Sequence, residues 1–217
     1  MKTNLRMKTE NHGWGRQVSW AAALLVLGGL MGCSFTQPQA DPTRFYLLAA
    51  AGAPAGAAVA AKAPVIHLRP IELASYIRAK PMIVRRGNNE IEFREYARWG
   101  EPLELGIGRV LREDLVARGA AGAVFAAGLR AVEVEYDYVL VVRVLASEGG
   151  ANGAVYFRAV WELSTVGTTP KTVARGEVNP ADLRWDAKGE ASLAAELSKA
   201  VALLAEDISA GIARVAK

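Results

Sequence analysis

The longest alternation of apolar and polar positions runs over residues 132–145. Val132, Val134, Tyr136, Tyr138, Leu140, Val142 and Val144 recur at every second position. Glu133, Glu135, Asp137 and Arg143 stand between them, and Val139 and Val141 fill the other gaps. Successive strand side chains point to opposite faces. The pattern therefore predicts a long strand, wet on one face in its first half and buried on both in its second. Alternation resumes over 154–163 with Val155, Phe157, Ala159, Trp161 and Leu163. The Gly-rich segment 148–153 between them predicts a turn, and hence an antiparallel pair. Shorter strands are predicted at 44–48, 65–69, 81–85, 90–94 and 172–177, with a short edge strand at Val124 and Phe125. Gly87, Asn88 and Asn89 tolerate the positive φ of a hairpin turn. Residues 71–77 read as a helical turn. Residues 49–63 are almost entirely Ala, Gly and Pro and read as a loop.

Two segments change to the helical period. Leu103, Ile107, Val110, Leu111 and Leu115 fall on one helix face. Pro102 suits the first position, Glu101 and Glu104 place negative charge at the positive end, and Gly119 is a good stop. From 190 to 215, Leu193, Leu197, Val201, Leu204, Ile208, Ile212 and Val215 step by three and four. Glu196, Lys199, Glu206, Asp207 and Arg214 occupy the remaining surface, so this is an amphipathic helix that covers a sheet. The expected fold class is α/β: a mixed β-sheet with amphipathic helices packed on it, in a single domain over 43–217.

The front of the chain follows neither pattern. Residues 20–31 form an apolar run, preceded by Lys2, Arg6, Lys8 and Arg16 against the single acid Glu10. That arrangement reads as a secretory signal peptide over 1–32. The run falls short of the roughly 20 apolar residues a membrane span needs. Leu30, Met31, Gly32 and Cys33 then resemble a bacterial lipobox, whose cysteine thiol receives a diacylglyceryl group. Cys33 is the one cysteine of the chain, so no intramolecular disulfide accounts for it. Residues 33–42 are expected to form a lipid-anchored tether, with the acyl chains holding the domain to a membrane.

This leader also changes the meaning of the charge. The formal net charge is +4, but most of it lies in the segment to be removed. The remainder is close to neutral and shows no basic patch interleaved with aromatics, so no nucleic-acid partner is expected.

Candidate chemistry is sparse. Beyond the leader, His67 is the one imidazole. It lies mid-strand between Ile66 and Leu68, where a structural role is the plainer reading. No serine stands in a Gly-x-Ser-x-Gly elbow, and no metal-ligand spacing is present. Gly106-Ile107-Gly108 begins like a dinucleotide fingerprint, but Leu111 stands where the third glycine belongs. Glu133, Glu135 and Asp137 have the spacing of a solvated strand face. No catalytic residue, metal or cofactor is expected, and the chain does not read as an enzyme.

Three segments together resemble the PqiC/YmbA family of ABC-transport auxiliary lipoproteins. The first is Tyr46-Leu47-Leu48. The second is Leu73-Ala74-Ser75-Tyr76-Ile77 with Pro81-Met82-Ile83-Val84-Arg85 and Asn89-Glu90-Ile91. The third, and most specific, is Arg98-Trp99-Gly100-Glu101-Pro102-Leu103, with Gly100 where the family usually has alanine. Asp137-Tyr138 and Trp161 also fit. The resemblance implies a compact periplasmic domain on a lipid anchor, working with an MCE-domain protein and its inner-membrane transporter in lipid movement and membrane integrity. Ser34, in place of an aspartate after the cysteine, implies sorting to the outer membrane. Arg98, Trp99, Glu101 and Pro102 are then a structural motif or a partner contact, and homo-oligomers remain open. The rival readings are a lipid-anchored envelope hydrolase and a structural outer-membrane lipoprotein with no transporter partner.

Overall fold

The computed structural model describes residues 40–52, 63–126 and 134–215. The leader, Cys33, most of the tether, the middle of the Ala/Gly/Pro segment, and Val132 and Glu133 lie outside these residues. One long strand organises the sheet. Numbered in chain order, the strands are β1 (Arg44–Tyr46), β2 (Val65–Leu68), β3 (Glu72–Leu73), β4 (Pro81–Arg85), β5 (Ile91–Trp99), β6 (Ala123–Ala126), β7 (Tyr138–Gly150), β8 (Val155–Thr165) and β9 (Thr172–Val178). The helices are α1 (Leu103–Ala117) and α2 (Glu190–Val215), with a 3-10 turn at Ser75–Arg78.

Three short strands tile one edge of β7, all parallel to it: β2 at Tyr138–Leu140, β3 at Arg143 and Val144, and β4 at Gly149 and Gly150. The other edge pairs antiparallel with β8, and β8 with β9. β6 adds to β2, while β5 and then β1 add to β4. The mixed sheet predicted from the alternation is present, and the hairpins β4–β5 and β7–β8 pair antiparallel as predicted; Gly153 takes φ +80 in the second turn, whereas none of Gly87, Asn88 and Asn89 takes a positive φ in the first. A short strand does form at Val124 and Phe125, at the edge beside β2.

Both helices pack with the sheet on one side. Leu140, Val142 and Val144 of β7 meet Phe157, Ala159, Trp161 and Leu163 of β8, and all are buried. Leu193, Leu197, Val201, Leu204, Ile208 and Ile212 of α2 close over the strands. Ala194, Ala200, Ala205 and Gly211 are buried beside them, so the contacting stripe is wider than its large residues alone indicate. α1 ends as its glycine predicts. Gly119 takes φ +67, and Ala120 N–H donates to the Leu115 carbonyl while Gly119 N–H donates to that of Val116.

Three expectations need correction. The segment 148–153 is not all turn: β7 runs on through Glu148, Gly149 and Gly150, and the reversal occupies 151–153. The glycines there are required by packing. A Cβ on Gly149 would come within 2.9 Å of both Trp185 and Leu193. The second half of the strand predicted over 132–145 is also not buried on both faces. Val139 and Val141 are partly exposed and Arg143 is exposed, because no helix of the described residues covers that side. Residues 71–77 divide into β3 and the 3-10 turn, so the predicted helical turn is shorter and later.

Candidate functional site

The motif singled out from the sequence forms a corner joining β1, β5 and α1. β1 lies parallel to β5 with Tyr46 opposite Trp99. Trp99 is buried in the core, and its N–H donates to the Lys80 carbonyl at 2.8 Å. Gly100 N–H donates to the Tyr46 carbonyl at 2.8 Å, closing the corner. Glu101 accepts from Arg109 at 2.7 Å, and the same guanidinium donates to the Leu48 carbonyl at 2.9 Å. Glu101 lies flat on Gly106, where an added Cβ would stand 3.1 Å from its carboxylate. Of the two glycines of the false dinucleotide fingerprint, Gly106 thus makes room for Glu101, while a side chain at Gly108 would meet Ile71 at ordinary contact distance. Pro102 caps α1 through its carbonyl, which accepts from Leu105 and Gly106. Arg98 is partly exposed and donates to the Glu95 carbonyl at 3.3 Å.

The other candidates are dispersed. His67 stacks on Tyr136, with centroids 4.8 Å apart and planes 21° apart. Asp137 clamps the start of β2: its carboxylate accepts from Val65 N–H at 2.7 Å, and its own N–H donates to the Val65 carbonyl at 2.9 Å. Glu135 is exposed, and Glu133 lies outside the described residues. Among the described residues no group of three or more His, Cys, Asp or Glu side chains could hold a metal ion, and no helix is long and apolar enough to cross a membrane.

Sequence reasoning missed three arrangements. Glu148, with a fully buried side chain, accepts from Arg85 Nε at 2.6 Å and pairs with its terminal nitrogen. Burial first, then the neighbouring Glu148, pushes the Tyr76 phenol up to about 12. Asp114 is buried in α1, and accepts from Ala51 N–H at 2.9 Å and Gly52 N–H at 3.3 Å. Burial raises its carboxyl above the usual range, and those two N–H groups pull it back down. Trp161 lies in a slot between two glycines. A Cβ on Gly176 would stand 2.6 Å from its indole nitrogen, and one on Gly211 would collide with its ring. Its N–H donates to Asp207 of α2 at 2.7 Å, so Asp207 is an anchoring group and not surface decoration.

Among the described residues, the sheet face away from the helices offers an accessible surface. Val141 and Arg143 of β7 lie beside Val160 and Glu162 of β8, and these beside Glu177 and Arg175 of β9. Arg143 pairs with Glu72 at 2.8 Å and Arg158 with Glu177 at 2.6 Å. Val141, Arg143, Val160, Glu162, Arg175 and Glu177 line an open groove of about 460 Å³. Its floor is aliphatic and its walls carry both signs of charge, which suits recognition of another protein more than binding of one charged ligand.

Comparison with known proteins agrees with this architecture. The crystal structure of protein XCC0632 from Xanthomonas campestris, of the family DUF330, superposes with a TM-score of 0.65 at 17% identity, covering 77% of this chain and 93% of that one. The crystal structure of an uncharacterized protein superposes with a TM-score of 0.59 at 14% identity, covering 77% and 97%. At such identities the likeness is one of fold. No curated protein matches the sequence. A model of the family described as "ABC-type transport auxiliary lipoprotein component" matches residues 46–209, from the end of β1 into the last turns of α2. With that match spanning most of the chain, the protein belongs to the ABC-type transport auxiliary lipoprotein family and is an auxiliary subunit of such a transport system.

Proposed function

We propose that this chain is a non-enzymatic docking subunit, held to the outer membrane by acyl chains on Cys33 and facing the periplasm. Its partner is an MCE-domain protein, with that protein's inner-membrane transporter, in a system that moves lipid and supports membrane integrity. One observation carries the docking role: none of the described residues covers the sheet face opposite α1 and α2, where Val141 and Val160 are flanked by the Arg143–Glu72 and Arg158–Glu177 pairs. Such a mixed face gives specificity through charge complementarity around a small apolar centre. The lipobox supports the anchor, and Ser34 after the cysteine supports outer-membrane sorting.

A photo-crosslinking amino acid at Val160, in cells expressing the full chain, tests the docking. The expected product is a covalent adduct with an MCE-domain protein, absent when the same probe replaces Leu203 on α2. Adducts from Leu203 alone would move the interface to the helices. Cys33→Ser is expected to abolish labelling by a palmitate analogue and leave the leader uncleaved. His67→Gln is expected to complement a deletion strain under detergent challenge. A stable, correctly localised His67→Gln protein that fails to complement would instead favour the hydrolase.

A further inference from the structure

The β1 edge carries the most exposed apolar side chains of the described residues. Phe45 is 66% exposed, Leu105 61% and Leu47 57%. Phe45 and Leu47 belong to the β1 segment and Leu105 to the first turn of α1, whose approach is tied to β1 by the Gly100–Tyr46 hydrogen bond. Along residues 45–48 the chain alternates: Tyr46 and Leu48 turn toward the core, and Phe45 and Leu47 turn away. Leu47 lies against Gly100, which leads into Glu101. Leu105 shares a helix stripe with Glu101 and Arg109, and Arg109 holds the Leu48 carbonyl. Arg98 is the register partner of Phe45 in the parallel β1–β5 pair, so it faces the same side. Among the described residues Arg98 makes no ion pair.

We infer that this edge rests on the bilayer that holds the chain's own anchor, with Phe45 and Leu47 entering the interface and Arg98 meeting lipid phosphate. The inference depends on the lipid anchor at Cys33 proposed above. Three side chains are far too few for a stable protein interface, which buries about 800 Å² per partner. Beside an acyl anchor they suffice, because the tether converts docking into an intramolecular step. β1 begins at Arg44, so only residues 34–43 separate it from the acylated cysteine. Fully extended, those residues reach on the order of 35 Å, and no other strand lies so close to the anchor in sequence. An apolar pair flanked by arginine is also the composition that interfacial segments use. β9 stands at the opposite end of the strand order from β1, so the contact would leave the β8–β9 part of the bare face available to a partner.

The test uses the full chain, expressed with its leader and purified lipidated, in vesicles of phosphatidylethanolamine and phosphatidylglycerol. Lipidation occupies the native thiol, so a nitroxide can be placed singly at Phe45→Cys, Leu47→Cys or, as control, Val166→Cys in the β8–β9 turn. These positions are exposed, so the core is spared. Collision with oxygen exceeding collision with a water-soluble nickel chelate at 45 and 47, with the reverse at 166, is the expected result. Nickel collisions dominating at 45 and 47 on anchored protein would overturn the inference. So would low collision with both reagents, which would mark a covering protein. A failure of the anchor shows separately, as an unmodified Cys33 mass and protein that does not float with the vesicles.

Discussion

The two faces of the β7–β8 pair share a backbone and differ in almost every other respect. On the covered face, Val142 meets Trp161, and Val144 meets Ala159, beneath α2. On the bare face, Arg143 meets Val160 and Val141 meets Glu162. The covered face tolerates little. Trp161 is bonded to Asp207 and wedged between Gly176 and Gly211, so both the large and the small residues are specified by shape. The bare face is held by ion pairs in water, where charge is screened and exchange is easy. Stability is therefore concentrated on one side.

The comparison can be broken most forcefully at the tryptophans. Trp161→Ala on the covered face is expected to cost about 3–5 kcal/mol in urea unfolding, from the lost aromatic and the cavity it leaves. Trp99→Ala should cost a similar amount, roughly 3–5 kcal/mol. If it melts like wild type but loses partner crosslinking, the Arg98–Pro102 corner is an interface. Gly211→Ala adds one methyl where none fits, and should cost roughly 1–3 kcal/mol by overpacking against Trp161. Arg143→Ala and Glu72→Ala, combined in a double-mutant cycle, should show a coupling of only about 0.2–1 kcal/mol, shrinking with salt. Equal penalties on the two faces would remove the contrast.

The smallest expected effect is a pH dependence. Burial raises the folded-state pKa of Asp114 above its ordinary value of 3.8, so the folded chain prefers the protonated form. Its stability contribution is present below that value and is lost as pH rises through the raised folded pKa. Asp114→Asn should flatten that part of the stability–pH curve, measured by chemical denaturation across the acid range. A steeper loss with rising pH in the variant would contradict the assignment.

Legibility differed between fold and site for physical reasons. Period-two and helical spacing identified the β7–β8 hairpin, both helices and the Gly119 stop, because burial on one face leaves a periodic trace. The turn reading of 148–150 failed because glycine is also the residue of close approach, and only Trp185 and Leu193 overhead distinguish the two uses. The bareness of the Val139–Arg143 face was hidden as well, since Val139 and Val141 look buried when read alone.

The sequence by itself determined the alternation of the strands, the apolar stripes of the helices and the poverty of catalytic side chains. These are properties of local order, and local order repeats with the period of its backbone. Only the tertiary structure decided that Arg109 joins Glu101 to the Leu48 carbonyl, that Asp137 clamps β2, that Glu148 is buried against Arg85, and that Asp207 holds Trp161. Most of those partners lie tens of residues apart in the chain, and which of many carboxylates meets which donor depends on packing that no local pattern encodes.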